Sequence, residues 1–566
     1  MPVIPVASRA VPPLAFKPEP LMNVPAPPAS IPRRHDLDAL RGIAMLLGIV
    51  LHGAMSFIPG VGDFWGVQDS RADASFGVLL AFIHGFRMPL FFLISGFFTA
   101  MLWQKRGTGQ LLKHRFKRIF LPMVLGLLTV IPVSWAVNDY VRSAERAPAN
   151  AAETAQPASA DGKPEATQAA GDAGLIAAVA VGDTQTVARL IEAGHDLDAQ
   201  DANGSTPLHV ACFFGRAEAA ALLLDAGADT EQLNNEGRRA AELLNTPWGI
   251  TSFIAGMFRI EVTQAEVMAG RVEIAERMGI PADGIAAAAA GSKLDFANPT
   301  GLLMYFPLFG HLWFLWFLCW LVVAFVICVT VASRLKIPHL PRKAITSPWR
   351  LIWLIPLTAL PMSWMSPISF GPDTSLGLIP VPSVLAFYAV FFAFGALYFV
   401  AGDGAAELGR YWPVTLGLGL LLAFPAGLVT YSETSGLGLV ISALSQSTYA
   451  WLLTFGLMGL FRQMLSRENR TFRYLSDSSY WLYLAHIPLI VYLQFVVRDW
   501  QLPAVAKFLL VCTIGSALLL MSYQLFVRYT PIGTLLNGKR IRAFRQAGSA
   551  ESSAESPESQ PLPGDA

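Results

Sequence analysis

The chain has 566 residues, 54% hydrophobic and 14% charged, with a formal net charge of +1. Soluble globular proteins carry about 25% charged residues, so this balance excludes an ordinary soluble domain, and it offers no basic surface for a nucleic acid. Cys212, Cys319, Cys328 and Cys512 lack the paired spacing of a disulfide framework or a zinc site, so neither a metal nor a bound cofactor is expected.

Residues 1–34 form a Pro/Ala-rich extension, expected to be disordered and lacking the apolar core of a signal peptide. Apolar runs near the ~20 residues that cross a bilayer as a helix follow. Ten are expected, over 38–58, 76–103, 119–137, 311–332, 351–370, 383–401, 412–430, 436–460, 479–497 and 503–527. The fold class is therefore all-α: a polytopic membrane domain assembled from residues 35–137 and 302–530, with a cytoplasmic, mostly disordered tail at 531–566. The loops 104–118 and 333–350, the stretch 462–473 and the tail are all rich in Lys and Arg. Short-loop charge of this kind lies on the cytoplasmic side. With ten spans, both termini are expected in the cytoplasm and the 138–301 insert on the outer side of the inner membrane.

The insert opens with a polar linker at 138–171, whose composition cannot bury a core. Residues 172–204 then align with 205–237 at a period of 33, matching Gly182 to Gly215, Leu190 to Leu223 and Gly194 to Gly227. That period and the Thr206–His209 sequence TPLH resemble ankyrin repeats, expected over 172–245, with a protein partner or a spacer role. His195 and His209 belong to the repeat pattern. The fold of 246–301 is not legible.

Candidate chemistry begins in the first helix, where Arg41 and His52 stand eleven residues apart. That is about 16 Å of helical rise and close to three turns, so both share one face. Asp38, three residues before Arg41, can pair with it. An ionisable group at membrane depth faces a cavity or a partner. On the residues alone, His52 is either a catalytic base or acyl acceptor, or a packing histidine. Arg87 and His84 sit inside the second apolar run, where Arg87 needs an anion or water. Ser95–Gly96 marks a close helix contact. His311 and Trp313 open the fourth helix, and Tyr480, Tyr483 and His486 share a face of the ninth.

These landmarks together resemble the acyltransferase-3 family of integral membrane acyltransferases. The resemblance rests on R-x10-H (Arg41, His52), FRMPLFFLISGFF (86–98), KHRFKRIFLP (113–122), GHLWFLWFL (310–318) and SDSSYWLYLAHIPL (476–489). Within that family, IHGFRMPLFFLISGFF and TPIGTLLNGKR are most like members linked to succinyl transfer onto periplasmic glucans. The resemblance implies an acyl-CoA donor reached from the cytoplasm and a carbohydrate hydroxyl as acceptor. It implies His52 as base or acyl carrier, supported by Arg41 and Asp38. Arg115, Arg118 and Arg87 would hold the donor, with His84, His311, Trp313, Tyr480 and His486 as acceptor-side candidates. No Walker A, GxSxG, HExxH or CxxC pattern occurs, which argues against an ATPase, a serine hydrolase and a metalloprotease. The rival classes are a transporter or channel using the same histidines and arginines, and a membrane-anchored ankyrin scaffold.

Overall fold

The computed structural model describes residues 34–154, 174–285 and 303–538, apart from short stretches at 60, 62–64, 202–203, 235–237, parts of 247–259, 283–284, 337, 339, 366–369, 403–406 and 434. The N-terminal extension, the second half of the linker (155–171), the Ala run at 286–290 and the tail beyond 538 lie outside the described residues, while 138–154 of the expected linker continues a helix.

Among the described residues, eight helices are long and apolar enough to cross a membrane. They account for nine of the ten expected segments, because Ser75–Val141 carries two of them. It comprises α2 (Ser75–Arg115), a π-turn at Phe116–Phe120 and the start of α3 (Leu121–Thr154). Residues 104–118, read from sequence as a loop, are thus helical apart from a break at Gly107, whose φ of +74° suits glycine. The stretch is rich in Leu, Lys, Arg and Gln and free of Pro, so helix propensity carries through it. The tenth segment forms α10 (Arg350–Met362), 13 residues interrupted by Pro356 and Pro361.

The remaining membrane-type helices are α1 (His35–Ala54), α8 (Trp313–Arg334), α11 (Pro382–Ala401), the continuous Trp412–Thr430, α14 (Gly436–Met464), α15 (Arg470–Val497) and α16 (Ala504–Ser522). A short α17 (Pro531–Asn537) follows. Leu128, Trp135, Ile327, Leu421, Val429 and Phe526 are exposed on the outside of the bundle, as expected of a surface that faces lipid. Inside, Phe92, Phe317, Tyr388, Phe391 and Trp451 form an aromatic core.

Small residues let the backbones approach. A Cβ at Gly96 would run into the carbonyl of Phe392, and one at Gly395 into that of Leu93, which locks α2 against α11 and bears out the contact expected at Ser95–Gly96.

The loop between α1 and α2 folds back over the end of α1. Its anchor is Asp69, whose carboxylate meets Lys507 Nζ of α16 at 2.6 Å, both side chains fully buried. Lys507 Nζ also donates to the Arg498 carbonyl at 2.9 Å. Gln68 Nε2 donates to the carbonyls of Ser56 and Ile58, which pins the loop to the helix it caps.

In the insert, helix pairs stack as the 33-residue period requires. Thr206 caps α5 (Pro207–Phe214) in concert with His209. The Thr206 N–H donates to His209 Nδ1, so the proton lies on Nε2, which donates to the Arg238 carbonyl at 3.0 Å. His209 is therefore a structural clamp within the repeats. Part of the segment whose fold sequence did not reveal becomes α7 (Gln264–Met278), which completes the stack. Gly270 of α7 meets Gly215, leaving no room for a Cβ on either. Arg271 of α7 is buried and donates to the carbonyls of Cys212, Phe213 and Thr246 and to the Thr251 hydroxyl. Burial lowers its pKa to about 10, so it stays charged at neutral pH. The helix supplies the cover that so few repeats otherwise lack.

Candidate active site

The site is organised along one face of α15. From its start inward, Ser476, Tyr480, Tyr483, His486 and Gln494 recur at helical spacing, and each bonds across to another element of the bundle, three of them to α1.

At the first level, Arg41 Nη2 donates to the Ser476 hydroxyl at 2.7 Å, and Asp38 lies 3.6 Å from the same guanidinium. The expected Arg41–Asp38 pair is present, with Ser476 as a partner that sequence reasoning missed. At the next level, the Tyr480 hydroxyl donates to the Arg118 carbonyl at 2.9 Å. Arg118 Nη1 donates to the carbonyls of Thr534 and Leu535, near the end of α17, and Arg115 Nη2 donates to Thr99 Oγ1 at 2.8 Å. Arg41 Nε and Arg115 Nε are buried without a hydrogen-bond partner.

Deeper in the bundle, three histidines meet. His486 Nε2 lies 2.9 Å from His52 Nδ1, and the rings of His486 and His311 cross at 5.5 Å between centroids. Pro488 explains how His311 docks. It has no N–H, so the Leu484 carbonyl one turn back loses its helical donor. His311 Nε2 fills that role at 3.0 Å. The Tyr483 hydroxyl donates to the His311 carbonyl at 2.5 Å and holds the same turn from the other side.

The hydrogen bonds fix the tautomers of the neutral rings. His486 Nδ1 faces the carbonyls of Leu482 and Tyr483, at 3.0 and 2.8 Å, and carbonyls only accept. The His486 proton is therefore on Nδ1, and Nε2 is an acceptor. His52 Nδ1 must then donate to it, which puts a lone pair on His52 Nε2, for which no hydrogen-bond partner is found among the described residues.

His52 lies in the last turn of α1, farther along than the middle of the helix, and the following loop covers it. Trp65 stacks on the imidazole, with centroids 5.6 Å apart and planes 5° from parallel. Gln494 accepts from Trp65 Nε1 at 2.7 Å, while its amide donates to the carbonyls of His52 and Gly53 at 2.9 and 3.0 Å. One side chain thus closes the end of α1 and holds the ring above His52.

Arg87 projects from α2 against Gly48, one turn before His52, and interacts electrostatically with His52, His84 and His486. His84 Nε2 donates to the Pro372 carbonyl at 3.1 Å. Trp313 packs in the core against Phe92, Phe317 and Tyr388. The structure thus gathers His52, His486, His311 and Arg87, and it sets Arg41, Asp38, Arg115 and Arg118 toward the other end of the same helices. Of the residues sequence reading passed over, Gln494 shares the face of α15 already marked by Tyr483 and His486, whereas Trp65 carried no local signal.

A membrane bundle with a histidine cluster between an R-x10-H helix and an H-x-P helix defines the class. Residues 34–145 and 238–522, most of the chain, match the acyltransferase domain of the acyltransferase-3 family, and the chain belongs to that family. Residues 160–243 match ankyrin repeats in three copies. The chain is 35% identical over 106 residues to the glucans biosynthesis protein C of Escherichia coli (strain SMS-3-5), a stretch covering 19% of this chain and 26% of that protein. The protein of that name from Salmonella paratyphi B is 34% identical over 113 residues, 20% of this chain and 26% of the relative. The chain thus aligns with about a quarter of the length of these relatives.

Proposed function

We propose that the protein is an O-acyltransferase that moves an acetyl or succinyl group from acyl-CoA, on the cytoplasmic side of the inner membrane, to a hydroxyl of an envelope or periplasmic glycan. The observation that carries this reading is the His52–His486 pair, which leaves a free imidazole nitrogen in an enclosed site. Family membership and the name of the relatives support the acyl and glycan halves.

In this reading the sugar oxygen attacks the thioester carbonyl carbon while its proton passes to His52 Nε2. The new C–O bond forms, the C–S bond breaks, and the imidazolium returns its proton to the leaving thiolate. The same lone pair can instead attack the thioester and carry the acyl group across as an acyl-imidazole. Arg115, Arg118 and Arg41, with Asp38 beside it, serve the phosphates of the donor, for which guanidinium forks are suited. The acceptor reaches the other end, beside Trp65 and His311. Both termini are cytoplasmic, and the ankyrin insert lies on the outer side, where it engages a protein partner.

The test uses purified protein in lipid nanodiscs with radiolabelled acetyl-CoA or succinyl-CoA and periplasmic glucan. Label in the glucan supports the reading and names the acyl group. No transfer from either donor defeats it.

His486→Phe is expected to lower turnover about 10- to 100-fold, by analogy with the loss of an outer partner of a metal-bound imidazole, with the donor KM near wild type. Steady-state rates of the purified variant check this, and unchanged turnover rules out the orienting role.

A further inference from the structure

Among the described residues, Arg87 has no acid partner in the bundle. Its Nε is buried without a hydrogen bond, and the phenols of Tyr483 and Tyr388 are among its neighbours. Asp373, the acid that acts on Tyr388, is not among the groups acting on Arg87. The other ionisable neighbours are His52, His84 and His486, none of which brings negative charge. The residue as a whole is half-buried, and its Nε lies within the bundle.

The notch that holds it is built by glycine. A Cβ at Gly48 would collide with Arg87 Nη1, so Gly48 sets the guanidinium against α1, one turn from His52 on the same face. An unpaired arginine inside a membrane bundle is costly and is kept where it meets an anion.

We infer that Arg87, seated on Gly48 beside His52, is an anion subsite that binds a negatively charged oxygen of the acyl group. This inference rests on the acyl-transfer reading of the same site. Two sources supply such an oxygen. One is the thioester carbonyl oxygen, which becomes an oxyanion when the hydroxyl or His52 adds to the carbon and returns to a carbonyl as the thiolate departs. The other is a fixed carboxylate at the far end of a dicarboxylic acyl chain.

The experiment compares wild type, Arg87→Gln, Arg87→Lys and Gly48→Ala in nanodiscs, with acetyl-CoA and succinyl-CoA as donors. An oxyanion role predicts that Arg87→Gln loses about 10²- to 10³-fold in kcat with both donors. A carboxylate role predicts a rise in KM and a loss confined to succinyl-CoA. In either case Arg87→Lys recovers part of the activity, and Gly48→Ala follows Arg87→Gln. The thermal midpoint of Arg87→Gln is expected to equal or exceed that of wild type, because the substitution removes an unpaired buried charge. A large drop in midpoint would assign Arg87 a structural role and overturn the inference, as would unchanged kinetics with both donors.

A binding arm separates this inference from the acyl-transfer reading. Succinate, against the neutral succinamide, is expected to raise the midpoint of wild type and not of Arg87→Gln. If wild type transfers neither acyl group but shows that shift, the anion subsite stands and the transfer reading fails. If neither transfer nor shift is seen, both fail.

Discussion

His52→Ala is expected to lower acyl transfer by about 10³-fold while the protein still inserts and folds. A positioned base contributes about 10²- to 10⁴-fold, and here the substitution also removes the ring on which Trp65 stacks. If His52 carries the acyl group covalently, transfer ceases altogether. The two routes separate in a single-turnover experiment with labelled donor and no glucan. Label retained on wild type and absent from His52→Ala marks an acyl-imidazole, and label on neither marks a base. The comparison requires equal protein in the membrane and an unchanged thermal midpoint. That requirement is reasonable because the α1 end keeps its Gln494 bonds to the backbone carbonyls of residues 52 and 53. Activity at the wild-type level would remove His52 from the mechanism.

The largest stability effect is expected at Lys507. Its ammonium donates to Asp69 Oδ1 at 2.6 Å with both side chains buried; the Arg71 N–H also donates to Oδ1, at 2.9 Å, and Oδ2 has no hydrogen-bond partner among the described residues. Lys507→Met leaves that carboxylate buried without a cation, which costs about 3–5 kcal/mol, whereas replacing both members of a buried pair with apolar residues is often close to neutral. Lys507→Met should therefore unfold at markedly lower temperature or denaturant, and Lys507→Met with Asp69→Leu should regain most of the loss. The single variant should also lose activity, because Asp69 anchors the loop that brings Trp65 over His52. Equal stability of the single variant and wild type would show that the pair does not hold the loop.

Much of this architecture is written locally in the chain. Runs of apolar residues reveal the spans, and a period of 33 with TPLH reveals the repeats. The eleven-residue interval places Arg41 and His52 on one face of α1 because helical geometry is local. The motif around His486 is legible for the same reason, and Pro488 gives it a physical basis through the freed Leu484 carbonyl. What was not legible depends on contacts between distant segments. Trp65 and Gln494 are separated by 429 positions, and Asp69 and Lys507 by 438, and no periodic pattern announces either pair. Gly48 carries no signal of its own in the sequence, and its role becomes visible only when Arg87 is placed against it. The basic segment 104–118 misled because charge resembles a loop, whereas its residues are good helix formers.

The ladder on α15 makes that helix a ruler. Ser476 and Gln494 stand eighteen residues apart, about 27 Å of rise, most of a bilayer's hydrocarbon thickness. A single residue inserted between Tyr480 and His486 would turn everything beyond it by about 100°. Arg41 would keep its partner while His52 lost two of its own. The two ends of the reaction path are thus held in phase by residue count, and the helix can drift freely in sequence only on its outward face, never in length.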